Sequence, residues 1–311
     1  MSSRREPVRV VSLFAGAGGL DFGLKKAGLK LIWANDFDPD SCATYSFNIG
    51  SHIHCGDVSD VEVSQIPDAD IVVGGFPCQG FSMANLGREP GDSRNKLYKH
   101  FVRIVKGKMP TMFIAENVRG ILSLAKGEAL RQIIRDFTRI GYDVDYALFN
   151  CADYGVPQLR QRVLIWGVRN DCSDKVAFSP PKPTHSKTGD RLPRWVTVRE
   201  AVEAVLKDSP NQEFSKYKVT NRNFTGHRWT DPDKPCPTIL ARGNGKGGVC
   251  AIQHPDNKRR MSVREQAAIQ TFPDSYQFKG AMNSCYRQVG NAVPVEFARK
   301  LGLKIKEAFR R

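Results

Sequence analysis

A cysteine directly after a predicted strand is the residue of this chain best placed to do chemistry. Cys78 lies in Gly74-Gly75-Phe76-Pro77-Cys78-Gln79-Gly80-Phe81-Ser82, which follows the apolar β-type run 71–73. Pro77 fixes its own φ and holds the preceding residue extended, so the thiol is presented where a strand ends. Enzymes with α/β sheets keep their reactive groups at such strand ends. Most free cysteines are small buried residues, so the groups that accompany Cys78 decide whether it is a nucleophile.

Two other segments carry groups that could act with this thiol. Glu116 follows the predicted strand Thr111–Ala115 and should emerge at the same sheet edge as Cys78. A thiol beside a carboxyl suits nucleophilic addition to a ring whose nitrogen needs a proton or a hydrogen bond. Arg160 and Arg162 precede another strand, and their spacing predicts that both lie on one face. They could favour a thiolate and hold carbonyl or phosphate oxygens. The alternatives are a helix N-cap role for Glu116 and solvated charges for the arginines.

A glycine-rich turn predicts a nucleoside site. Phe14-Ala15-Gly16-Ala17-Gly18-Gly19 stands between the first predicted strand and the first helix. Glycines there allow a tight turn and close approach of a ligand to a helix N-terminus. Asp36 ends the second strand twenty residues beyond Gly16 and suits ribose hydroxyls, and Gly56-Asp57-Val58 could reach an adenine edge. This pattern does not choose between NAD, FAD and S-adenosylmethionine.

Strand and helix signals alternate through the first half, which predicts an α/β fold with a doubly wound, mostly parallel sheet. From about Asn170 the alternation stops. Residues 179–184 indicate a linker, and residues 185–260 are polar, basic and rich in Gly, Pro and Asn. We predict these strands and helices: Val8–Phe14, Leu20–Ala27, Leu31–Asn35, Pro39–Phe47, Ile71–Gly74, Leu97–Val105, Thr111–Ala115, Glu128–Ile140, Tyr142–Phe149, Val163–Val168, Val263–Ile269 and Val295–Phe309.

The chain has 311 residues and a net charge of +15, concentrated in its second half. Residues 1–150 carry 18 Lys/Arg against 17 Asp/Glu, and residues 151–311 carry 29 against 15. This asymmetry indicates a polyanionic partner on one side of the molecule. No apolar run approaches membrane-spanning length and the N-terminus is polar, so we expect a soluble protein without a signal peptide. None of the eight cysteines forms a Cys-x-x-Cys pair, so we predict no metal site and a reducing cytosol.

The ordered set of motifs resembles the cytosine-5 DNA methyltransferases. The set comprises the glycine turn, Gly75-Phe76-Pro77-Cys78-Gln79, Glu116-Asn117-Val118, Gln158-x-Arg160-x-Arg162, Arg264-Glu265 with Gln270-x-Phe272-Pro273, and Gln288-Val289-Gly290-Asn291-Ala292-Val293-Pro294. It covers about residues 8–170 and 258–310. Phe76 stands where many members have a second proline, which is also a familiar variant. The resemblance implies a catalytic and cofactor-binding domain at 1–170, a target-recognition domain at 171–257 and a returning segment at 258–311.

The same resemblance implies roles residue by residue. Cys78 would attack carbon 6 of a flipped-out cytosine, Glu116 would hydrogen-bond its ring nitrogen and amine, and Arg162, with Arg160 beside it, would hold its carbonyl oxygen. S-adenosylmethionine would give its methyl group to carbon 5 and leave as S-adenosylhomocysteine. Implied cofactor-site residues are Phe14, Gly16, Gly18, Gly19, Asp36, Phe37, Asp57, Val58, Pro77, Asn291 and Ala292. Predicted contacts with double-stranded DNA are Gln79, Ser82, Arg94, Arg222, Arg228, Arg242, Asn244 and Lys246.

Three rival interpretations remain open. The tRNA cytosine-5 methyltransferases share the fold and the cysteine motif, but they typically carry Cys-Phe-Thr in the target region, and this sequence has none. A nucleotide-dependent oxidoreductase would leave Cys78, Glu116 and the arginine pair without a role. A non-catalytic DNA-binding derivative would not need Cys78 and Glu116. We predict the monomeric modification enzyme of a prokaryotic restriction-modification system, in the cytoplasm, with a cognate nuclease that forms no stable complex with it.

Overall fold

A seven-stranded sheet forms the centre of the computed structural model, which describes residues 6–76, 96–212, 229–241, 252–256 and 259–310. Its strands are β1 Arg9–Leu13, β2 Lys30–Asp36, β3 Ile53–Cys55, β4 Ile71–Gly74, β5 Met112–Val118, β6 Tyr142–Asn150 and β8 Gln161–Arg169. They lie in the order β3-β2-β1-β4-β5-β8-β6. β1 to β5 pair in parallel, and β8 runs antiparallel to both β5 and β6. The predicted doubly wound, mostly parallel sheet is confirmed.

Helices cover both faces of this sheet, which explains why its central strands are apolar on both sides. α1 and α8 cover one face, and α3 and α4 cover the other. Gly23 of α1 lets the two helices of the first pair approach closely, because a Cβ there would stand 2.4 Å from the Cβ of Ala298 on α8. The helices are α1 Gly19–Ala27, α2 Pro39–Asn48, α3 Lys96–Lys108, α4 Glu128–Arg139, α5 Val198–Glu203, α6 Val263–Ile269, α7 Met282–Asn291 and α8 Val295–Ala308.

Sequence periodicity located the long helices and strands within a few residues, but it placed the end of β5 too early. The strand predicted to end at Ala115 continues to Val118, because β8 pairs with it as far as the Val118–Arg162 register. Glu116 therefore lies inside a strand instead of at its end. The three-residue β3 and the mostly polar α7 were not predicted, because neither has a strong hydrophobic period.

The segment after residue 170 packs onto the sheet domain at several described points. The indole N–H of Trp195 donates to Asp153 at 2.8 Å, and the Tyr154 hydroxyl donates to the backbone oxygen of Pro181 at 2.9 Å. Further along, β7 Gln158–Leu159 and β9 Cys236–Pro237 form a two-stranded parallel sheet. The proposed boundary of a target-recognition domain at residue 171 stays a prediction.

Candidate active site

The carboxyl ends of the parallel strands gather the predicted functional groups at one edge of the sheet. β1 leads into the glycine turn, β2 ends at Asp36, and β4 leads to Gly75 and Phe76. β5 lies beside β4 and carries Glu116 just beyond the Gly74–Ala115 pair. This is the edge where open α/β sheets bind their ligands.

Glu116 and Arg162 form an ion pair that the strand register dictates. Glu116 faces Leu164 across the β5–β8 pair and Val118 faces Arg162, so Glu116 and Arg162 are diagonal neighbours on one face. The Arg162 Nε lies 2.6 Å from Glu116 Oε1, and the two side chains are 10% and 13% exposed. The pair is therefore mostly shielded from solvent, and about a tenth of each side chain stays exposed. The structure brings these two predicted residues together.

The backbone that leads to Cys78 is fitted against this pair. A Cβ on Gly75 would stand 2.8 Å from Glu116 Oε2. The Glu116 carboxylate can therefore occupy its position only because Gly75 has no side chain. The buried Asn117 amide donates to the Phe76 backbone oxygen at 2.9 Å. Gly75 and Asn117 thus fix the strand end that carries the chain toward Cys78.

Gly75→Ala is expected to lower kcat about tenfold while changing the free energy of unfolding by less than about 1 kcal/mol. The added methyl group would push the Glu116 carboxylate off Arg162. Glu116 is predicted to act on the substrate ring, and displacing such a group slows turnover steeply. Steady-state kinetics and urea unfolding measure the two effects. Gly120→Ala is the control, because a Cβ there meets only Val118 at 3.9 Å. Unchanged kcat in Gly75→Ala would show that Glu116 needs no such room.

Arg160 does not stand beside Arg162 as a second ligand-facing cation. Its side chain is only 1% exposed, and its guanidinium donates to the backbone oxygens of Ile239 and Gly290, both at 3.0 Å. The prediction that Arg160 stands beside Arg162 and holds ligand oxygens with it is therefore corrected. Arg160 precedes β8, where the chain turns inward and buries it between the 236–241 segment and α7. Its contacts are those of a structural clamp.

The glycine turn is open on one side and tightly packed on the other. Gly16 has φ +55°, and a Cβ there would meet nothing within 4 Å, so this residue borders free space. A Cβ on Gly18 would stand 2.3 Å from Ile49 Cδ1, and one on Gly19 would stand 2.4 Å from the Val293 backbone oxygen. Gly18 and Gly19 are thus required by packing, whereas Gly16 leaves room for a ligand.

Asp36 and Phe37 lie beside this open side. The Asp36 carboxylate accepts hydrogen bonds from the backbone N–H groups of Gly16, at 2.7 Å, and Asp38, at 2.9 Å. Burial raises the pKa of Asp36, although these hydrogen bonds oppose the shift. Phe37 follows it with 75% of its surface exposed, so one aromatic face is available for stacking. A carboxylate and a free aromatic ring next to Gly16 are the groups that a ribose and an adenine would need.

The other predicted cofactor residues divide between open and packed positions. Asn291 is exposed at the end of α7, and Ala292 packs against the position a Gly19 side chain would occupy. The backbone N–H of Ser59 donates to Asp57 and lowers its pKa. Val58 is 2% exposed and turned into the core, so only its backbone could contact a ligand. Phe14, partly buried at φ 56°, leads the chain from β1 into the turn.

A buried acid beneath the glycine turn was missed by sequence reasoning. Asp21 accepts hydrogen bonds from the hydroxyls of Ser12, at 2.7 Å, and Tyr45, at 2.8 Å, and the Tyr45 oxygen lies 3.0 Å from His52 Nε2. Burial raises the pKa of Asp21 to about 6. Asp21 supports the turn, because it holds Tyr45 against Gly18. Its position in the first turn of α1 gave no signal beyond an ordinary helix-start acid.

Asp21→Asn is expected to flatten the pH dependence of stability. A buried carboxyl with a raised pKa stabilises the fold fully below its unfolded pKa, and this contribution is lost as pH rises through about 6. The whole loss is about 3 kcal/mol, and about half of it should fall between pH 5 and 7.5. Urea unfolding of both proteins across that range measures the difference. Equal slopes for wild type and variant would contradict the assignment.

Several predicted residues lie outside the described part of the chain, and their predictions stay predictions. They are Pro77, Cys78, Gln79, Ser82, Arg94, Arg222, Arg228, Arg242, Asn244 and Lys246. Within the described ranges, no cluster of three or more His, Cys, Asp or Glu side chains is arranged to hold a metal ion. Among the helices of those same ranges, none has the length and apolarity needed to cross a bilayer.

Comparison with solved structures shows which fold the chain has. A prophage-encoded Escherichia coli protein assigned as a DNA modification methyltransferase matches with a TM-score of 0.76 at 24% identity, covering 98% of this chain and 100% of that one. The S. pombe Dnmt2 methyltransferase matches with a TM-score of 0.73 at 19% identity, covering 96% and 98%. These likenesses show that the chain shares the fold of these two methyltransferases.

Sequence comparison then gives the family. The family model for C-5 cytosine-specific DNA methylase matches residues 8–235 and 211–307. The Type II methyltransferase M.NgoFVII of Neisseria gonorrhoeae is 38% identical, over 99% of this chain and 88% of the relative. M.MthTI of Methanothermobacter thermautotrophicus is 36% identical, over 96% and 97%. The chain belongs to the C-5 cytosine-specific DNA methylase family and is a DNA cytosine-5 methyltransferase.

Proposed function

We propose that this enzyme transfers a methyl group from S-adenosylmethionine to carbon 5 of a flipped-out cytosine in a specific double-stranded DNA sequence. The observation that carries the proposal is the shielded Glu116–Arg162 pair, which lies at the sheet edge toward which the Cys78 segment leads. A base inside a duplex cannot reach such a site, so the target nucleotide would have to leave the stack.

The open side of the glycine turn fits the proposed cofactor. Gly16 borders free space, Asp36 offers a carboxylate, and Phe37 exposes a ring beside it. Asp36 would hold the ribose hydroxyls, Phe37 would stack on adenine, and Asp57 would approach the adenine amine. S-adenosylmethionine, when bound there, supplies an electrophilic methyl group. S-adenosylhomocysteine would remain as the product.

The chain's own residues would carry the remaining chemistry. Cys78 would add to carbon 6 of the cytosine through its sulfur, which makes carbon 5 nucleophilic. Glu116 would share a proton with the ring nitrogen and accept a hydrogen bond from the exocyclic amine. Arg162 would hold the Glu116 carboxylate with its Nε and offer its remaining N–H groups to the cytosine carbonyl oxygen. After methylation, loss of the carbon 5 proton and departure of the Cys78 sulfur would restore the aromatic ring.

The biological setting is also a proposal. The relatives named as Type II methyltransferases support a modification enzyme of a prokaryotic restriction-modification system. We further propose that it works as a monomer on cytoplasmic DNA. A cognate endonuclease would cut the same sequence without forming a stable complex with this enzyme. The basic residues of the second half would contact phosphates, which gives salt-sensitive DNA binding.

Methyl transfer from labelled S-adenosylmethionine tests the proposal directly. Purified protein is incubated with mixed-sequence plasmid DNA or with total tRNA, and nucleoside analysis identifies the labelled base. We expect 5-methylcytosine in the DNA and none above background in the tRNA. Label in tRNA alone would favour the tRNA-modifying alternative, and no label in either would refute the proposed reaction. Bisulfite sequencing of the labelled plasmid would then give the recognition sequence.

A further inference from the structure

Two cysteines flank the backbone oxygen of Asp36. The Cys42 thiol donates to it from α2 at 3.3 Å, and the Gly56 N–H donates to it from the end of β3 at 2.9 Å. Cys55 is the register partner of Asp36 in the β2–β3 pair. The Cys42 thiol and the strand position of Cys55 therefore meet at Asp36, and Cys55 contributes to the raised pKa of Cys42. A helix and a strand far from the Glu116–Arg162 pair thus place two sulfur atoms together.

The two thiols differ in their access to solvent. Cys42 is 5% exposed, whereas Cys55 is exposed. Burial, together with the neighbouring Cys55, Asp36 and Asp38, raises the pKa of Cys42. A dissolved oxidant would therefore meet Cys55 first, and Cys42 would react second. The raised pKa of Cys42 makes this second step the slower one, because the thiolate is the nucleophile.

We propose that Cys42 and Cys55 are a peroxide-sensitive pair that forms a reversible disulfide and thereby weakens binding at the cofactor cleft. In the first step the Cys55 thiolate attacks a peroxide oxygen, which gives a sulfenic acid and hydroxide. In the second step the Cys42 sulfur displaces the sulfenic oxygen, which leaves as water with the Cys42 proton. With hydrogen peroxide, two thiols and one peroxide give one disulfide and two waters.

The effect on the cleft follows from what Asp36 contacts. A disulfide requires the sulfur atoms to approach to about 2 Å, so the Cys42 thiol can no longer donate to the Asp36 oxygen. The new bond draws the start of α2 toward β3, and Asp36 and Phe37 lie between these elements. The Asp36 carboxylate holds Gly16 through a 2.7 Å hydrogen bond, so its displacement also disturbs the glycine turn. Only this effect rests on the proposed function; disulfide formation does not depend on it.

The test uses Cys78→Ser protein, so that oxidation of the proposed nucleophile does not enter the result. The protein is treated with hydrogen peroxide, alkylated with iodoacetamide and digested with chymotrypsin. Tyr45 and Phe47 lie between the two cysteines and provide cleavage sites, whereas trypsin finds no Lys or Arg between residues 30 and 88. Calorimetry measures S-adenosylmethionine binding before oxidation, after oxidation and after reduction with dithiothreitol. Cys42→Ser and Cys55→Ser in the same background are the controls.

We expect a crosslinked peptide pair containing Cys42 and Cys55 that is absent from both controls. We also expect cofactor affinity to fall at least fivefold on oxidation and to return on reduction, with no such response in Cys55→Ser. Oxidation of Cys55 to sulfinic acid without a crosslink would overturn the proposed pair, and a crosslink with unchanged affinity would overturn its effect. Failure of the reduced protein to bind S-adenosylmethionine would instead refute the proposed cofactor, while the peptide result still decides the disulfide.

Discussion

Glu116→Gln is expected to lower kcat by about 10²- to 10³-fold while leaving the affinities for S-adenosylmethionine and DNA within about twofold. Glutamine has nearly the shape of the carboxyl and can still accept a hydrogen bond from a cytosine amine. It has no proton to share with the ring nitrogen, so the developing negative charge on the ring is not neutralised when the thiol adds. The loss should therefore appear in the chemical step, which single-turnover methylation measures.

Glu128→Gln is the matched control for this substitution. Glu128 lies at the start of α4 and pairs with Arg131 at 2.8 Å, with both side chains about half exposed. It lies outside the sheet edge that carries the proposed site, so its kcat should match the wild type. A Glu116→Gln enzyme with wild-type single-turnover rates would show that Glu116 does not act in the reaction.

Lysine substitutions of the two arginines in one motif are expected to have different effects, one on stability and the other on turnover. Arg160→Lys should lower the free energy of unfolding by about 2 kcal/mol, because a single ammonium cannot serve the Ile239 and Gly290 oxygens together and one buried acceptor loses its donor. Arg162→Lys should lower kcat about 10- to 100-fold, because the ammonium cannot hold Glu116 through Nε and also present fixed donors to a base. Its stability should change by less than about 1 kcal/mol.

The two variants control for each other, since the substitution is the same and the positions are two residues apart. Urea unfolding gives the stability of each variant. Single-turnover kinetics below the unfolding range gives the rate of the folded protein. A loss of turnover in Arg160→Lys without a loss of stability would show that Arg160 takes part in the reaction. If Arg162→Lys lost only stability, the ion pair with Glu116 would be structural.

Local sequence signals were sufficient to predict much of the site. The strand-to-helix alternation predicted a mostly parallel, doubly wound sheet, and the spacing from Gly16 to Asp36 matched a hydrogen bond between them. That Glu116 and Arg162 act on one base was implied only by the family resemblance. Local signals did not predict their contact, because Arg162 precedes its predicted strand and reaches Glu116 only since β5 and β8 are antiparallel and in a particular register.

The features that sequence reasoning missed depend on partners far away along the chain. Its residue type predicts that Arg160 is a solvated surface cation. Its burial depends on the backbone oxygens of Ile239 and Gly290, which lie 79 and 130 residues further along the chain. Asp21 looked like an ordinary helix-start acid until the fold brought Tyr45 and Ser12 to it. The role of Gly75 likewise appears only once Glu116 is known to lie against it. Such tertiary partners leave no periodic pattern in a single sequence.

Covalent trapping on DNA that contains 5-fluorocytosine is the most direct test of the central claim, which is that Cys78 is the nucleophile. A fluorine at carbon 5 cannot leave as a proton does, so the enzyme should remain attached after methyl transfer and migrate with the DNA in a denaturing gel. Cys172→Ser is the control, because Cys172 follows the far end of β8 from Arg162. We predict an adduct with wild type and with Cys172→Ser, and none with Cys78→Ala. An adduct that persists in Cys78→Ala would contradict this prediction.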